Sequence, residues 1–280
     1  MSGQFMVLNE MTRDEVRELA PQMTLVLPTA ATEQHGPHLP LKTDCAIGEA
    51  IARRAAELAA DDSKPDGLET GRPTADKKGP AVCLAPLVPF GNSQHHLIYS
   101  ALSLRTETYM AVLHDLLDCA VKAGFRRIFV LNAHGGNDEC VRLAGRDLVL
   151  RPEAVAAGVA FAACSYWTVA QGAAREAGVG KFGNFPGHAG NFETSLMMAL
   201  APDLVRHDRF PKDAGHPAPI NYAGLTPPGL LVQKSGDWQR VGGYTEAPLL
   251  ANEEDGRRFI ELIAVEVAKA IVAFHRATAG

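Results

Sequence analysis

The sequence predicts one α/β layer domain, on three observations. Short apolar runs of strand length alternate with longer stretches of helical periodicity, the pattern of a sheet covered by helices. A chain of 280 residues, 46% apolar and 21% charged, can bury one large core of that kind. No internal repeat or heptad run points to a solenoid or coiled coil, so residues 1–280 are expected to form a single domain.

In chain order, Thr12 and Glu15 make a capping-box pattern that opens a short amphipathic helix. The apolar run 23-MTLVLPT-29 reads as the first strand, and the Ala-rich stretch 44–60, with apolar positions three and four apart, as a helix. A second strand is expected at 81-AVCLAPL-87. A long helix follows from about Leu102 to Gly124, whose glycine suits a left-handed cap. The run 127-RIFVLN-132 is a third strand, with a helix starting near Asn137 as its N-cap, and 158-GVAFAAC-164 is a fourth. SLMMAL, ending at 200, marks a buried helix, and the last helix runs from Asn252 to about Arg276. Segments 61–80 and 208–230 are rich in Pro, Gly and polar residues. Connections of that length are usually functional covers or disordered insertions, and the second is expected to help cover a pocket or contact a neighbouring subunit.

A net charge of −5 without a basic stripe argues against nucleic acid as a partner. The opening MSGQFMVLNEMTRDE lacks a basic region followed by an apolar one, and no apolar run reaches the ~18 residues that span a bilayer, so a cytoplasmic chain without membrane contact is expected. Five cysteines, without a CxxC pair, read as reduced and mostly buried, Cys83, Cys119 and Cys164 among apolar neighbours. Cys45 is near the chemistry, with core packing as its expected role.

Three stretches can do chemistry. The first, 32-TEQHGPHLPLKTD-44, follows a strand and holds Glu33, His35, His38 and Asp44. In extended backbone residues i and i+2 project to one side, so Glu33 and His35 can converge. Pro37 and Pro40 disfavour helix before them, which should keep the chain extended until Asp44, where it can swing back toward Glu33. His38, behind a turning proline, is left out of the ligand set. The plain alternative makes Asp44 a helix N-cap and the rest loop polarity. The second stretch, 132-NAHGGND-138, puts His134 at a strand's carboxyl end beside two glycines that allow close backbone approach; its alternative is a glycine turn with a solvated histidine. The third, 187-GHAGNFETSLMMAL-200, offers His188 in a Gly-flanked loop and Glu193 in the first turn of a helix, where an acid is also favoured by the dipole alone. Together these loops supply carboxylates and imidazoles without a thiolate, a set that suits Zn²⁺ or Mn²⁺. It exceeds what one catalytic ion takes, so two divalent ions sharing a bridging carboxylate is the economical expectation.

These motifs, in this order, together with the C-terminal GGYTEAPLLANEEDGRRFIE, resemble the creatininase (creatinine amidohydrolase) family over nearly the whole chain. The resemblance implies a three-layer α/β fold with a largely parallel sheet between helices, a binuclear Zn²⁺/Mn²⁺ centre and a homo-oligomer, frequently a hexamer built from dimers. It implies that Glu33 and His134 hold one metal, His35 and Glu193 the other, that Asp44 bridges them, and that His188 transfers protons. Creatinine hydrolases carry a Tyr-Glu pair after the motif histidine, the glutamate being a ligand, where this chain has Gly135 and Gly136; Glu193 replaces that ligand. They also carry a substrate-covering tryptophan where this chain has Asn184, which leaves Trp167 as the candidate pocket aromatic.

The expected function is hydrolysis of a C–N bond in a small cyclic amide by metal-activated water, with a small molecule as partner. The rivals are C–C or lactone hydrolysis in a sugar-derived ring at the same centre, and a non-enzymatic α/β module binding an anion at the NAHGGN helix start.

Overall fold

The computed structural model describes residues 3–61, 79–179, 185–212, 232 and 234–278. In chain order the elements are β1 (Phe5–Val7), α1 (Arg13–Leu19), β2 (Thr24–Thr29), α2 (Thr43–Ala60), β3 (Val82–Leu84), α3 (Thr106–Ala123), β4 (Arg127–Asn132), α4 (Asp138–Val149), α5 (Pro152–Ala157), β5 (Ala160–Ser165), α6 (Tyr166–Val169), α7 (Gln171–Glu176), α8 (Asn191–Leu200), α9 (Asp237–Arg240) and α10 (Glu253–Thr278). The strands form one sheet in the order β1-β3-β2-β4-β5, every pairing parallel.

Alternation along the strands decides which helices cover which face. Val26, Val82, Leu84, Phe129 and Leu131 point to one side, where α2, α8 and α10 bury Ile47, Ile51, Leu196, Ile263 and Val267 against them. Leu25, Leu27, Cys83, Ile128 and Val130 point to the other, under α3 and α4. Parallel strands covered on both faces read as continuous apolar runs, which is why β2 and β4 stand out in sequence. The three-layer α/β architecture is therefore present.

The capping box of α1 is formed, Thr12 accepting from the Glu15 amide while the Glu15 carboxylate accepts from that of Thr12. Gly124 caps α3 at φ 110°, as its position after the apolar stripe predicts. Other expectations shift. α3 begins at Thr106 rather than Leu102, and β1 is an additional edge strand. Cys119 is exposed, because α3 buries Tyr109, Leu113, Leu117 and Ala120 and Cys119 lies off that stripe. All five cysteines are free. Most of 61–80 and 208–230, and Asn184, lie outside the described residues. No described helix is long and apolar enough to cross a membrane.

Candidate metal centre

The sheet order creates the place for a site. From β2 the chain passes through α2 on one face to β3; from β4 it passes through α4 on the opposite face to β5. β2 and β4 are neighbours, so their carboxyl-terminal loops part and leave a crevice, the usual ligand position in open parallel sheets. The loop after β3 is drawn in beside them by backbone pairing: Val88 bridges Thr29, Gln34 N donates to Ser100 O at 2.8 Å and Leu102 N to Thr32 O at 2.9 Å.

Glu33 and His35 lie in isolated β-bridges two residues apart and both turn into this crevice. The chain then folds back rather than staying extended: Gly36 takes φ 63° and His35 pairs with Leu39, so the prolines shape a turn. α2 starts one residue earlier than expected, and its N-cap is Lys42 without a side-chain capping bond. Asp44 is thus not a cap, and its carboxylate is directed inward. Asn137 stands at the N-cap of α4 as expected but makes no side-chain capping bond; its buried amide accepts from Asn92 N at 2.8 Å and donates to Ala30 O at 3.2 Å, tying together the loops after β2, β3 and β4.

The structure brings Glu33, His35, Asp44, His134, His188 and Glu193 together, all buried. His134 Nδ1 lies 3.3 Å from Glu33 Oε1 and 3.1 Å from Asp44 Oδ2. His35 Nε2 lies 3.0 Å from Asp44 Oδ1 and 3.7 Å from Glu193 Oε2. Each imidazole's other nitrogen faces a backbone carbonyl, which can only accept: His134 Nε2 is 3.0 Å from Asn92 O, and His35 Nδ1 is 3.1 Å from Glu33 O. The ring protons belong there, which leaves each inward nitrogen aimed with a lone pair at two carboxylate oxygens. Such acceptor triplets repel unless a cation sits among them, and fixing a histidine's tautomer through its outer nitrogen is how metal sites orient ligands. Tetrahedral ligands about 2.0–2.1 Å from one ion stand roughly 3.3 Å apart, close to the separations here. Buried Asp44 Oδ2 also accepts no hydrogen bond among the described residues. The donor set therefore fits divalent metal.

Without an ion, a proton takes the cation's place among these groups. Burial opposes charge on His35, but Asp44 and Glu193 outweigh it and raise the imidazole to about 10. Burial likewise opposes charge on His134, and Glu33 and Asp44 hold it well above the ordinary range. Burial would raise Glu33; the imidazoles of His134, His96 and His188 take it well below the usual carboxylate range instead. Burial lifts Glu193 to about 7.

Glu193 sits in the first turn of α8, and its Oε2 accepts from Ala189 N at 2.6 Å while it faces His35. His188 stands further back, its Nδ1 3.9 Å from Glu33 Oε1. Burial first, then His35 and His96, push it well below the ordinary histidine value, so it is neutral. Its backbone is clasped by Thr245, which donates its N–H to His188 O at 2.7 Å and accepts the His188 N–H on Oγ1 at 2.7 Å. His38 is buried rather than superficial, with Nε2 2.9 Å from Thr194 Oγ1, and stays out of the ligand set.

Sequence reasoning missed the contribution of the β3 loop and of α9. Ser93 Oγ donates a short hydrogen bond to Glu33 Oε2, and His96 stacks on His188 with ring centroids 4.3 Å apart. Trp238 packs edge-on against His96 and His188 at 4.4 and 5.1 Å, so the aromatic on the site histidines is Trp238, while Trp167 packs against Tyr166. The signal available was 91-GNSQHH-96 shortly after a strand.

The Creatininase (creatinine amidohydrolase) family model matches residues 9–271. The chain belongs to the creatininase family. It is a metal-dependent amidohydrolase of that family. It is similar to a mycofactocin precursor peptide peptidase of Mycobacterium ulcerans, 31% identical over 252 residues covering 86% of this chain and 81% of that protein. It is 29% identical to the creatinine amidohydrolase of Pseudomonas putida over 263 residues, 92% of each. A solved creatininase described as "Creatininase Mn" superposes with a TM-score of 0.71 at 26% identity, covering 95% of this chain and 96% of that one.

Proposed function

We propose that this creatininase-family protein holds two divalent ions, Zn²⁺ or Mn²⁺, and hydrolyses a C–N bond of a small cyclic amide. Glu33, His134 and Asp44 would hold one ion, His35, Glu193 and Asp44 the other. The observation that carries this reading is the pair of tautomer-fixed imidazoles, each aimed at two carboxylates, with Asp44 common to both sets. When bound, such ions activate water and polarise the scissile carbonyl. Ser93 holds the second oxygen of Glu33 so that the first stays turned inward. Neutral His188, set back from the ligands, would take the proton given up by the attacking water at Nδ1 and return it to the departing nitrogen. Gly135 and Gly136, where creatinine hydrolases carry Tyr-Glu, speak against creatinine itself. A homo-oligomer belongs to the same reading, and light scattering of the purified protein checks it.

A second reading, cleavage of a peptide's C–N bond, is favoured by the similarity to mycofactocin precursor peptide peptidases. Metal-reconstituted protein assayed against cyclic amides, formamides, short peptides and lactones separates these. Turnover of cyclic amides that is lost on chelation and regained with Zn²⁺ or Mn²⁺ supports the first reading, and turnover of peptides alone the second. Reconstitution that never exceeds one ion per chain overturns the binuclear centre.

A further inference from the structure

We infer that His96 presents a fixed N–H donor to the oxygen of the substrate's scissile carbonyl, and that Gln34 is the positioning residue that fixes it. The inference rests on the hydrolytic reading of the site. The side-chain amide of Gln34 is oriented without ambiguity, because Oε1 accepts the Gly36 N–H at 2.9 Å and the other end must be NH₂. That Nε2 lies 2.8 Å from His96 Nδ1 and therefore donates to it. A neutral imidazole that accepts at Nδ1 carries its hydrogen at Nε2. Glu33, His95 and His96 stand close enough to hold an ion, but a protonated Nε2 cannot ligate. Nor is this N–H committed elsewhere: Nε2 is 3.5 Å from Glu33 Oε1, beyond the usual length of a hydrogen bond to nitrogen, and Glu33 is already served by Ser93. The ring is hemmed in, 1% exposed, stacked on His188 at 4.3 Å, tilted against His95 at 4.3 Å and walled by Trp238 at 4.4 Å. A rigid donor in a site shielded from water, beside the carboxylate of a metal ligand, is what an oxygen gaining negative charge requires.

Zn²⁺-loaded protein with ¹⁵N-labelled histidine tests the tautomer by NMR, His96→Phe identifying the resonances. His96 should carry its proton on Nε2, and Gln34→Glu, which replaces a donor by an acceptor of the same shape, should move it to Nδ1. Methylphosphonate, a tetrahedral anion, tests the donor by calorimetry. His96→Phe should keep its zinc and bind methylphosphonate roughly 10- to 100-fold more weakly, the worth of a hydrogen bond to a charged group; His96→Gln, which restores an N–H, should recover part of the loss. A proton found on Nδ1 in the wild type, affinity within twofold after His96→Phe, or zinc lost from that variant would each overturn the inference, the last by making His96 a support of Glu33. Failure of methylphosphonate to bind the zinc-loaded wild type would count against the proposed hydrolytic centre, while the NMR arm still reads the tautomer.

Discussion

Replacing Asp44 by alanine is the perturbation that bears most directly on the metal centre. One carboxylate spans both ligand groups, Oδ1 at 3.0 Å from His35 Nε2 and Oδ2 at 3.1 Å from His134 Nδ1, so its removal should weaken both ions together. An ion that binds only the folded chain, at 100 times its Kd, adds about 2.7 kcal/mol of stability, and two add about 5.4 kcal/mol. For a chain of this size each kcal/mol moves Tm by roughly 2–4 °C. Zn²⁺ should therefore raise the wild-type Tm by about 10–20 °C. In Asp44→Ala the metal-induced rise should fall below the roughly 5 °C that a single retained ion would still give. The substitution removes no helix cap, because α2 is capped at Lys42 without a side-chain bond, so the metal-free variant should remain folded. Scanning calorimetry with and without metal, paired with elemental analysis, reads both quantities. A full wild-type shift and two bound ions in Asp44→Ala would refute the bridge and with it the two-ion arrangement.

His188→Ala should keep its metals while kcat falls roughly 10²–10⁴-fold, the usual worth of general acid–base catalysis; loss of an ion on elemental analysis would make His188 a ligand instead. Gly136→Ala would place a Cβ 2.1 Å from Asn92 O and 2.7 Å from His134 Nε2, so the hydrogen bond that holds the His134 tautomer must break. Metal affinity should drop about 10- to 100-fold, as for other partners that orient metal ligands, and unchanged affinity in a competition titration would show the contact is dispensable. Asn137→Ala leaves Asn92 N and Ala30 O without their partners, which should cost about 2–6 kcal/mol in chemical denaturation at roughly 1–3 kcal/mol per buried group. A loss under about 0.5 kcal/mol would mean that water replaces the amide.

How much was legible depended on whether the signal was local. β2 and β4 are six-residue apolar runs buried on both faces, and the segments leaving them carry Glu33, His35, Asp44 at the start of α2, and His134, so strand, loop and candidate ligand could be read from one stretch. β1 has three residues and among the described residues pairs with β3 alone, too short for any periodicity to show. Glu193 was ambiguous because an acid in a first turn satisfies the helix dipole whether or not it faces His35. Ser93, His96 and Trp238 were missed for a different reason, although 91-GNSQHH-96 follows a strand. The β3 loop reaches the crevice through backbone pairing of Val88 with Thr29 and of Ala101 with Glu33, and α9 through ring contacts of Trp238; none of these leaves a mark in the neighbouring sequence.

The two glycines after His134 explain why this branch of the creatininase family would place its carboxylate elsewhere. Gly136 leaves no room for any Cβ, because Asn92 O fills that space. The same close approach puts Asn92 O 3.0 Å from His134 Nε2 and lets the Asn137 amide accept from Asn92 N. A glutamate at 136 would have to expel the β3 loop, and with it Ser93 from Glu33 and His96 from the wall of the site. With glycine there the loop moves in, and a carboxylate beside His35 must come from another element. In the proposed centre Glu193 would provide it from the first turn of α8, a helix anchored between α2 and α10 through Phe192, Leu196 and Met197 and by the approach of Gly256 to Ser195 O. Glycine at 136 and glutamate at 193 are in this view a coupled pair. In the proposed centre the ligand would come from a buried helix rather than from this loop, and the β3 loop fills the space beside Gly136, where Asn92 O orients His134 and Ser93 orients Glu33.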